Sequence, residues 1–192
     1  MAGNIWIVSD THFGHDNIIK FPKRDGTRYR PEFDSIAHMD EELIENWNSV
    51  VKVTDKVYHL GDVAFSARVF EKVLPRLVGK KRLIWGNHDK LDLALYARYF
   101  QKCRMWQRLE ASDKLQLLLT HVPIHPSSLQ RNGMMGINVH GHNHYDMVPL
   151  STDAPGGMPH PHYFNVCVEH TNYTPVNVED LFSRARRVLK DV

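Results

Sequence analysis

The chain has 192 residues, enough for one domain with a full hydrophobic core, so residues 1–192 are read as a single domain. With 42% hydrophobic and 24% charged residues, it has the balance of an ordinary soluble globular protein. The formal charge of +2, from 24 basic and 22 acidic residues, gives no electrostatic case for nucleic acid or a membrane surface as partner.

In chain order, Ile5 to Ser9 reads as a short buried strand that runs into the polar turn Asp10-Thr11-His12. Its apolar run is too short for a signal segment and has no basic stretch before it. No other stretch approaches a membrane span, so the expected location is cytoplasmic. A basic loop follows, with Lys20, Lys23, Arg24, Arg28 and Arg30 expected to face solvent, a phosphate-binding lid being the alternative. Asp34 to Val51 has apolar residues at helical spacing, with Asp34 as the expected N-cap. Lys56 to Leu60 is a second strand, ended by Gly61-Asp62. Ala67 to Leu77 reads as a helix broken near Pro75.

Lys81 to Trp85 is a third strand, ended by Gly86-Asn87-His88-Asp89, and Leu91 to Phe100 is helical. Met105 to Leu109 and Leu115 to Thr120 form a strand pair around the turn Ser112-Asp113-Lys114, with His121 next. Ile137 to Val139 is a strand that runs into His140-Gly141-His142-Asn143-His144. A Pro/Gly loop, Ala154 to Pro161, leads to a strand at Tyr163 to Val168, and Val178 to Leu189 closes the chain as a basic amphipathic helix. The expected class is α/β, a layered architecture with two sheets between helices. Cys103 and Cys167 have no metal-type spacing and are read as reduced core thiols.

Histidine is the unusual component, with 13 in the chain, and its placement matters more than its number. Several strands end in metal-ligand residue types: Asp10 and His12, Asp62, Asn87 and His88, His121, then His142 and His144. Strand ends in layered α/β folds form one rim, where residues far apart in sequence converge. Carboxylates, imidazoles and one amide suit a borderline divalent cation such as Mn²⁺, Fe²⁺, Zn²⁺ or Ni²⁺ and suit Ca²⁺ poorly. There are too many donors for one ion. Two ions roughly 3.5–4 Å apart would use them all, an arrangement that clamps both oxygens in phosphoryl displacement.

Asp10-x-His12, Gly61-Asp62, Gly86-Asn87-His88-Asp89, His121 and Gly141-His142-x-His144 resemble the ordered motif set of the calcineurin-like metallophosphoesterases. The resemblance runs from residue 10 to residue 144 and implies that family's fold, a sandwich of two mixed sheets flanked by helices. It further implies that Asp10, His12, Asp62 and His144 hold one metal and that Asp62, Asn87, His121 and His142 hold the other, with Asp62 as the bridge. His88 would bind no metal and would protonate the leaving group, as a histidine near neutral pKa can. Asp89, on adjacency alone, is a candidate to orient His88. The protein Ser/Thr phosphatase branch continues Gly-Asp into Asp-Arg-Gly. Here Val63-Ala64-Phe65 follows, which argues against that activity. The opening Ser9-Asp10-Thr11-His12-Phe13-Gly14-His15 looks like the small bacterial and phage-type members.

His140-x-His142-x-His144 also invites a metallo-β-lactamase reading, but that motif needs an Asp-His pair where Tyr145 stands. His140 is therefore read as a core residue that orients a ligand, and His59 as a core histidine. His15 and Asn17 are either substrate contacts or loop surface. His125 lines the pocket or faces water, and His160 and His162 are expected at the surface. The expected function is a phosphoesterase, foremost a phosphodiesterase, using a hydroxide activated by two divalent ions. Mn²⁺ is favoured, with Fe, Zn or Ni as alternatives, and the expected partner is a small phosphoester or nucleotide-type substrate. The alternatives are a phosphomonoesterase or nucleotide diphosphatase and, in another class, a metal-binding scaffold without catalysis.

Overall fold

The structure is a computed structural model that describes residues 3–23, 25–112, 115–131, 134–150 and 158–190. The elements in order are β1 (Ile5–Val8), α1 (Ile36–Val50), β2 (Lys56–His59), α2 (Ala67–Val73), β3 (Lys80–Ile84), α3 (Leu93–Tyr99), β4 (Lys102–Arg104) and β5 (Trp106–Ser112). They continue with β6 (Leu115–Thr120), β7 (Gln130–Arg131), β8 (Met134–Met135), β9 (Ile137–His140), β10 (Tyr163–Asn165), β11 (Val176–Asn177) and α4 (Val178–Val188). One sheet has the order β11-β1-β2-β3-β4 and is parallel except for β11. The other has the order β10-β9-β6-β5 and is parallel except for β5. This is the α/β sandwich of two mixed sheets with flanking helices that the motif set implied.

Alternation along the strands builds two cores, because successive side chains point to opposite faces. Val8, Val57 and Leu83 face the helices and pack with Met39, Leu43, Ile44 and Trp47 of α1, Phe70 of α2 and Tyr96 of α3. Their neighbours Ile7, Tyr58 and Ile84 face the second sheet and meet Leu117, Leu119, Ile137, Val139 and Phe164, with Leu181 and Phe182 of α4. Each fully buried large aliphatic or Phe side chain stabilises the fold by roughly 1.5–3 kcal/mol. A central sheet covered on both faces therefore anchors the loops at its end.

Several expected boundaries move. α1 is capped by Ser35 rather than Asp34, since the Ser35 Oγ accepts from the His38 N–H at 3.2 Å. α2 ends at Val73 and gives way to a 3₁₀ turn, Leu74–Arg76, around Pro75, as a residue with no N–H and a fixed φ requires. The strand expected over Tyr163 to Val168 stops at Asn165. β4, β11 and the β7–β8 hairpin carry no pattern long enough to read. Asp113-Lys114, Arg24 and residues 154–157 of the Pro/Gly loop lie outside the described residues. Among the described residues, no helix is long and apolar enough to cross a membrane. Cys103 and Cys167 are both free.

Candidate metal centre

β1, β2 and β3 run parallel, as do β6 and β9, so the loops after them gather at one rim. Backbone bonds continue past the strands and fix those loops. The Asp10 N–H donates to the Gly61 C=O and the His12 N–H to the Asp62 C=O, both at 3.0 Å, and the Gly141 N–H donates to the His121 C=O at 2.8 Å. Asp10, His12, Asp62, His142 and His144 all take left-handed backbone, with φ of 59, 50, 58, 69 and 47°. That conformation is uncommon outside glycine, and such strain gathers at functional sites. Gly86 and Gly141 are required here: a Cβ on Gly141 would collide with the Ser9 Oγ and Asp10 Oδ2, and one on Gly86 with the Asp62 side chain.

The rim brings all the expected ligands together. Asp10 is fully buried, and its Oδ2 accepts from the Ser9 hydroxyl, the His142 N–H (2.9 Å) and the Cys167 thiol (3.3 Å). Its Oδ1 has no hydrogen-bond partner and faces the His12 Nε2 at 3.7 Å and the His144 Nε2 at 3.9 Å. The Asp62 Oδ1 accepts from the His88 N–H at 2.8 Å, while its Oδ2 lies 3.6 Å from the His12 Nε2 and 3.5 Å from the His121 Nε2. The Asn87 Oδ1 faces the His121 Nε2 at 2.8 Å and the His142 Nδ1 at 2.9 Å. Asp10, His12 and His144 form one group, and Asp10, Asp62 and His121 another, whose donor atoms within each group all lie within 4.8 Å of one another. Asp10 is thus common to both groups, whereas the resemblance assigns sharing to Asp62.

The proton positions suit a cation. His121 Nδ1 must donate to the Leu60 C=O (2.7 Å), and His144 Nδ1 bonds the Glu169 carboxylate (2.8 Å). In its neutral form either ring turns an Nε2 lone pair into the site, and at His144, against the effect of burial, the Glu169 bond raises the pKa, so a cation there competes with a proton. The His12 Nε2 is buried with no partner, like the Asp10 Oδ1 beside it. These imidazole nitrogens and carboxylate oxygens face one another at 3.5–3.9 Å, too far apart for hydrogen bonds, and leaving them so is costly unless a cation lies between. Burial pushes the Asp62 carboxyl up, with the Asp10 charge adding to it, and pushes the His12 imidazole down to about 4. The first reflects two crowded carboxylates in want of positive charge, and the second keeps the His12 imidazole unprotonated although Asp10 opposes it. The residues fit a divalent metal.

Residues 4–151 match the model of the calcineurin-like phosphoesterase superfamily domain. The chain belongs to that superfamily. It is 34% identical over 181 residues to the uncharacterized protein MJ1445 of Methanocaldococcus jannaschii, covering 91% of this chain and 87% of that one. It is 28% identical over 175 residues to the gene 66 protein of Mycobacterium phage L5, covering 76% of this chain and 79% of that protein. Among solved structures, a protein of unknown function, AQ665 from Aquifex aeolicus, superposes with a TM-score of 0.68 at 25% identity, over 93% of this chain and 97% of that one. Membership supports a phosphoesterase hydrolase whose Asp and His groups can hold metal.

Around the centre, some expectations change. The Asp89 carboxylate accepts from the backbone N–H groups of Gly86 and Asp62 (both 2.9 Å) and Val63 (3.0 Å), and from the Tyr96 hydroxyl (3.4 Å). It clamps two metal-centre loops together rather than orienting the His88 ring. Arg30, expected in solvent, is fully buried. It donates to the Asp10 and Thr11 carbonyls and pairs with Glu169 at 2.9 Å. Burial resists ionisation of Glu169, but Arg30 and the His144 bond outweigh it and hold its carboxyl at about 2. Arg30, Glu169 and His144 therefore form a chain that fixes the tautomer of a candidate ligand. Glu169 sits far beyond the motifs, and only its pairing in space reveals it.

His59 is a core histidine, bonded to the Thr11 hydroxyl at 2.9 Å. The buried His140 turns its Nδ1 to the Gly141 C=O at 2.8 Å. His15 stacks parallel on Phe65, with centroids 3.9 Å apart, and lies 5.6 Å from the His12 ring, while Asn17 is exposed. His162 is buried, contrary to expectation, with its Nδ1 3.1 Å from the Gly136 C=O. His160 packs on the Tyr163 ring. His125 caps a 3₁₀ turn and lines a hollow with Met147 and Leu150.

Proposed function

We propose that the protein is a metal-dependent phosphodiesterase whose centre takes two divalent ions, with Mn²⁺ favoured. The observation that carries this reading is the set of buried polar atoms without hydrogen-bond partners, the Asp10 Oδ1 and His12 Nε2 foremost, which face one another at 3.7 Å. Asp10, His12, Asp62 and His144 would hold one ion, and Asp62, Asn87, His121 and His142 the other. A single Asp62 oxygen within reach of both His12 and His121 supports Asp62 as the bridge. When bound, the ions supply Lewis acidity and lower the pKa of water toward about 7.

The remaining work falls to the chain. Asp89 fixes the spacing between the Asp62 and Asn87 loops through backbone N–H groups. His88 is exposed at the mouth, held by its backbone N–H on Asp62, with its ring 5.7 Å from that of His12 and 6.0 Å from that of Phe65. From there it can deliver a proton to a departing alkoxide. An apolar hollow beside Asn87 and His121 leaves room for an ester substituent of the substrate.

The test is turnover of the purified protein with Mn²⁺ on an aryl diester, the matching aryl monoester and a dinucleoside polyphosphate. The expected outcome is fastest cleavage of the diester, abolished by chelator and restored by Mn²⁺. Faster cleavage of the monoester or polyphosphate would replace the diester assignment. No turnover of any would leave a metal-binding scaffold.

A further inference from the structure

The hollow beside the metal centre has a lining that ligand binding and proton transfer do not explain. Its volume is about 390 Å³, within the roughly 300–1,000 Å³ of small-molecule sites. Asn87 and His121 form the end nearest the metal centre, and Trp85, Met105, Trp106, Val122 and Ile124 supply the apolar wall. Trp85 is braced by an edge-on contact with Tyr96, with centroids 4.7 Å apart, and its backbone N–H donates to the Arg104 C=O at 2.9 Å. Trp106 opens β5 opposite Thr120, and it and Met105 are 57% and 69% exposed. Two large apolar side chains left open beside a polar centre are not explained by core packing. Among the described residues, none that lines the hollow is Lys, Arg, Asp or Glu.

We propose that this hollow is the subsite for a planar aromatic substituent of the phosphoester, of the nucleobase or aryl class. The proposal rests on the phosphoesterase reading for its location. Asn87 and His121 belong both to the metal centre and to the hollow, so a phosphoryl group at the centre carries its substituent directly into it. Two indoles and a thioether offer flat, polarisable surfaces on which a ring stacks. A second phosphate would need cationic partners, and the lining offers none, so the subsite selects against polyphosphate chains.

Two readouts separate this proposal from the catalytic one. In the first, adenosine and phenol, which carry no phosphate, are titrated into the protein as purified while the indole N–H resonances of Trp85 and Trp106 are followed, with ribose as the non-aromatic control. Both aromatic probes are expected to shift these resonances and ribose to leave them in place. Trp106→Ala should weaken the response at least about fivefold, the lower end of the worth of one base stacked on an aromatic ring, and Trp106→Phe should weaken it less. Tighter binding of adenosine assigns a nucleobase, and tighter binding of phenol a simple aryl group.

In the second, adenosine 5′-monophosphate and methyl phosphate compete against turnover by the Mn²⁺-loaded enzyme. The nucleotide is expected to inhibit about tenfold more tightly, and Trp106→Ala to shrink that ratio toward one. Indole resonances that ignore both aromatic probes, or a wild-type inhibition ratio near one, would overturn the subsite. A protein that turns over no phosphoester while its indole resonances respond as expected would sink the catalytic reading and leave the subsite standing.

Discussion

The inner and outer ends of the metal centre are built by different means. At the inner end Asp10 and His12 are buried, and His144 is held by Glu169, itself paired with the buried Arg30. At the outer end Asn87, His88 and His142 are exposed, and their loops are fixed through the backbone, by the Asp89 clamp and by the His142 N–H on Asp10. Burying charge is costly, and here it sets ligand geometry before any ion arrives. The outer end keeps its side chains free for a substrate. The difference separates proposed ligands fixed by buried charge from an exposed end where, on the proposed reading, only His88 is free of metal, and mutations at the two ends should divide in the same way.

The largest effect is expected at the outer end. His88→Asn should leave metal content unchanged and slow cleavage of a poor alkoxide leaving group by about 10²–10⁴-fold. Its effect on an activated aryl leaving group, which departs without a proton, should be much smaller. Parallel kinetics on the two leaving groups, with metal analysis, checks this. Equal losses on both would move His88 from acid to charge stabiliser, and metal loss would make it a ligand.

A smaller effect is expected at the inner end. Glu169→Gln keeps an oxygen near His144 but removes the charge that answers Arg30. Metal affinity should fall about 10–100-fold, as for other partners of metal-bound histidines, with a loss of thermal stability in the metal-free protein. Calorimetric titration of the metal reads the first and a thermal melt of the metal-free protein the second. Unchanged affinity would mean that His144 is placed by packing alone.

How much of this was legible follows the same division. The proposed ligands sit at strand ends in motifs of a few residues, so Asp10, His12, Asp62, Asn87, His121, His142 and His144 are candidates before any geometry is known. What supports them could not. Arg30 lies in a run of cations that reads as solvated, and nothing local marks it as the partner of Glu169, 139 residues away. Adjacency pairs Asp89 with His88, while its carboxylate turns to the backbone of Gly86, Asp62 and Val63. β4 and β11 span only Lys102–Arg104 and Val176–Asn177, too short for periodicity to register, and they form because a sheet edge lies beside them.

The smallest effect lies outside the centre, at Asp40 of α1, whose Oδ1 accepts from the N–H of Gly14, just past His12, at 3.0 Å. Burial pushes this carboxyl up to about 6 from the ordinary 3.8. Between those values the folded chain binds more protons than the unfolded one, so this group's contribution to stability falls as pH rises from about 4 to about 6 and stays lower above that. Asp40→Asn keeps an acceptor for Gly14 and removes the titration. It should raise Tm by roughly 2–4 °C at neutral pH and make no difference below the unfolded pKa. A gain that persists in acid would assign the effect to something other than this proton.

The central claim is that one carboxylate, Asp62, joins two ions, and counting metal tests it most directly. Elemental analysis should find close to two divalent ions per wild-type chain, with both depleted in Asp62→Asn and mainly one lost in His12→Ala or His121→Ala. A wild-type protein fully active with one tightly held ion, or an Asp62→Asn variant that keeps both ions and normal turnover, would contradict it.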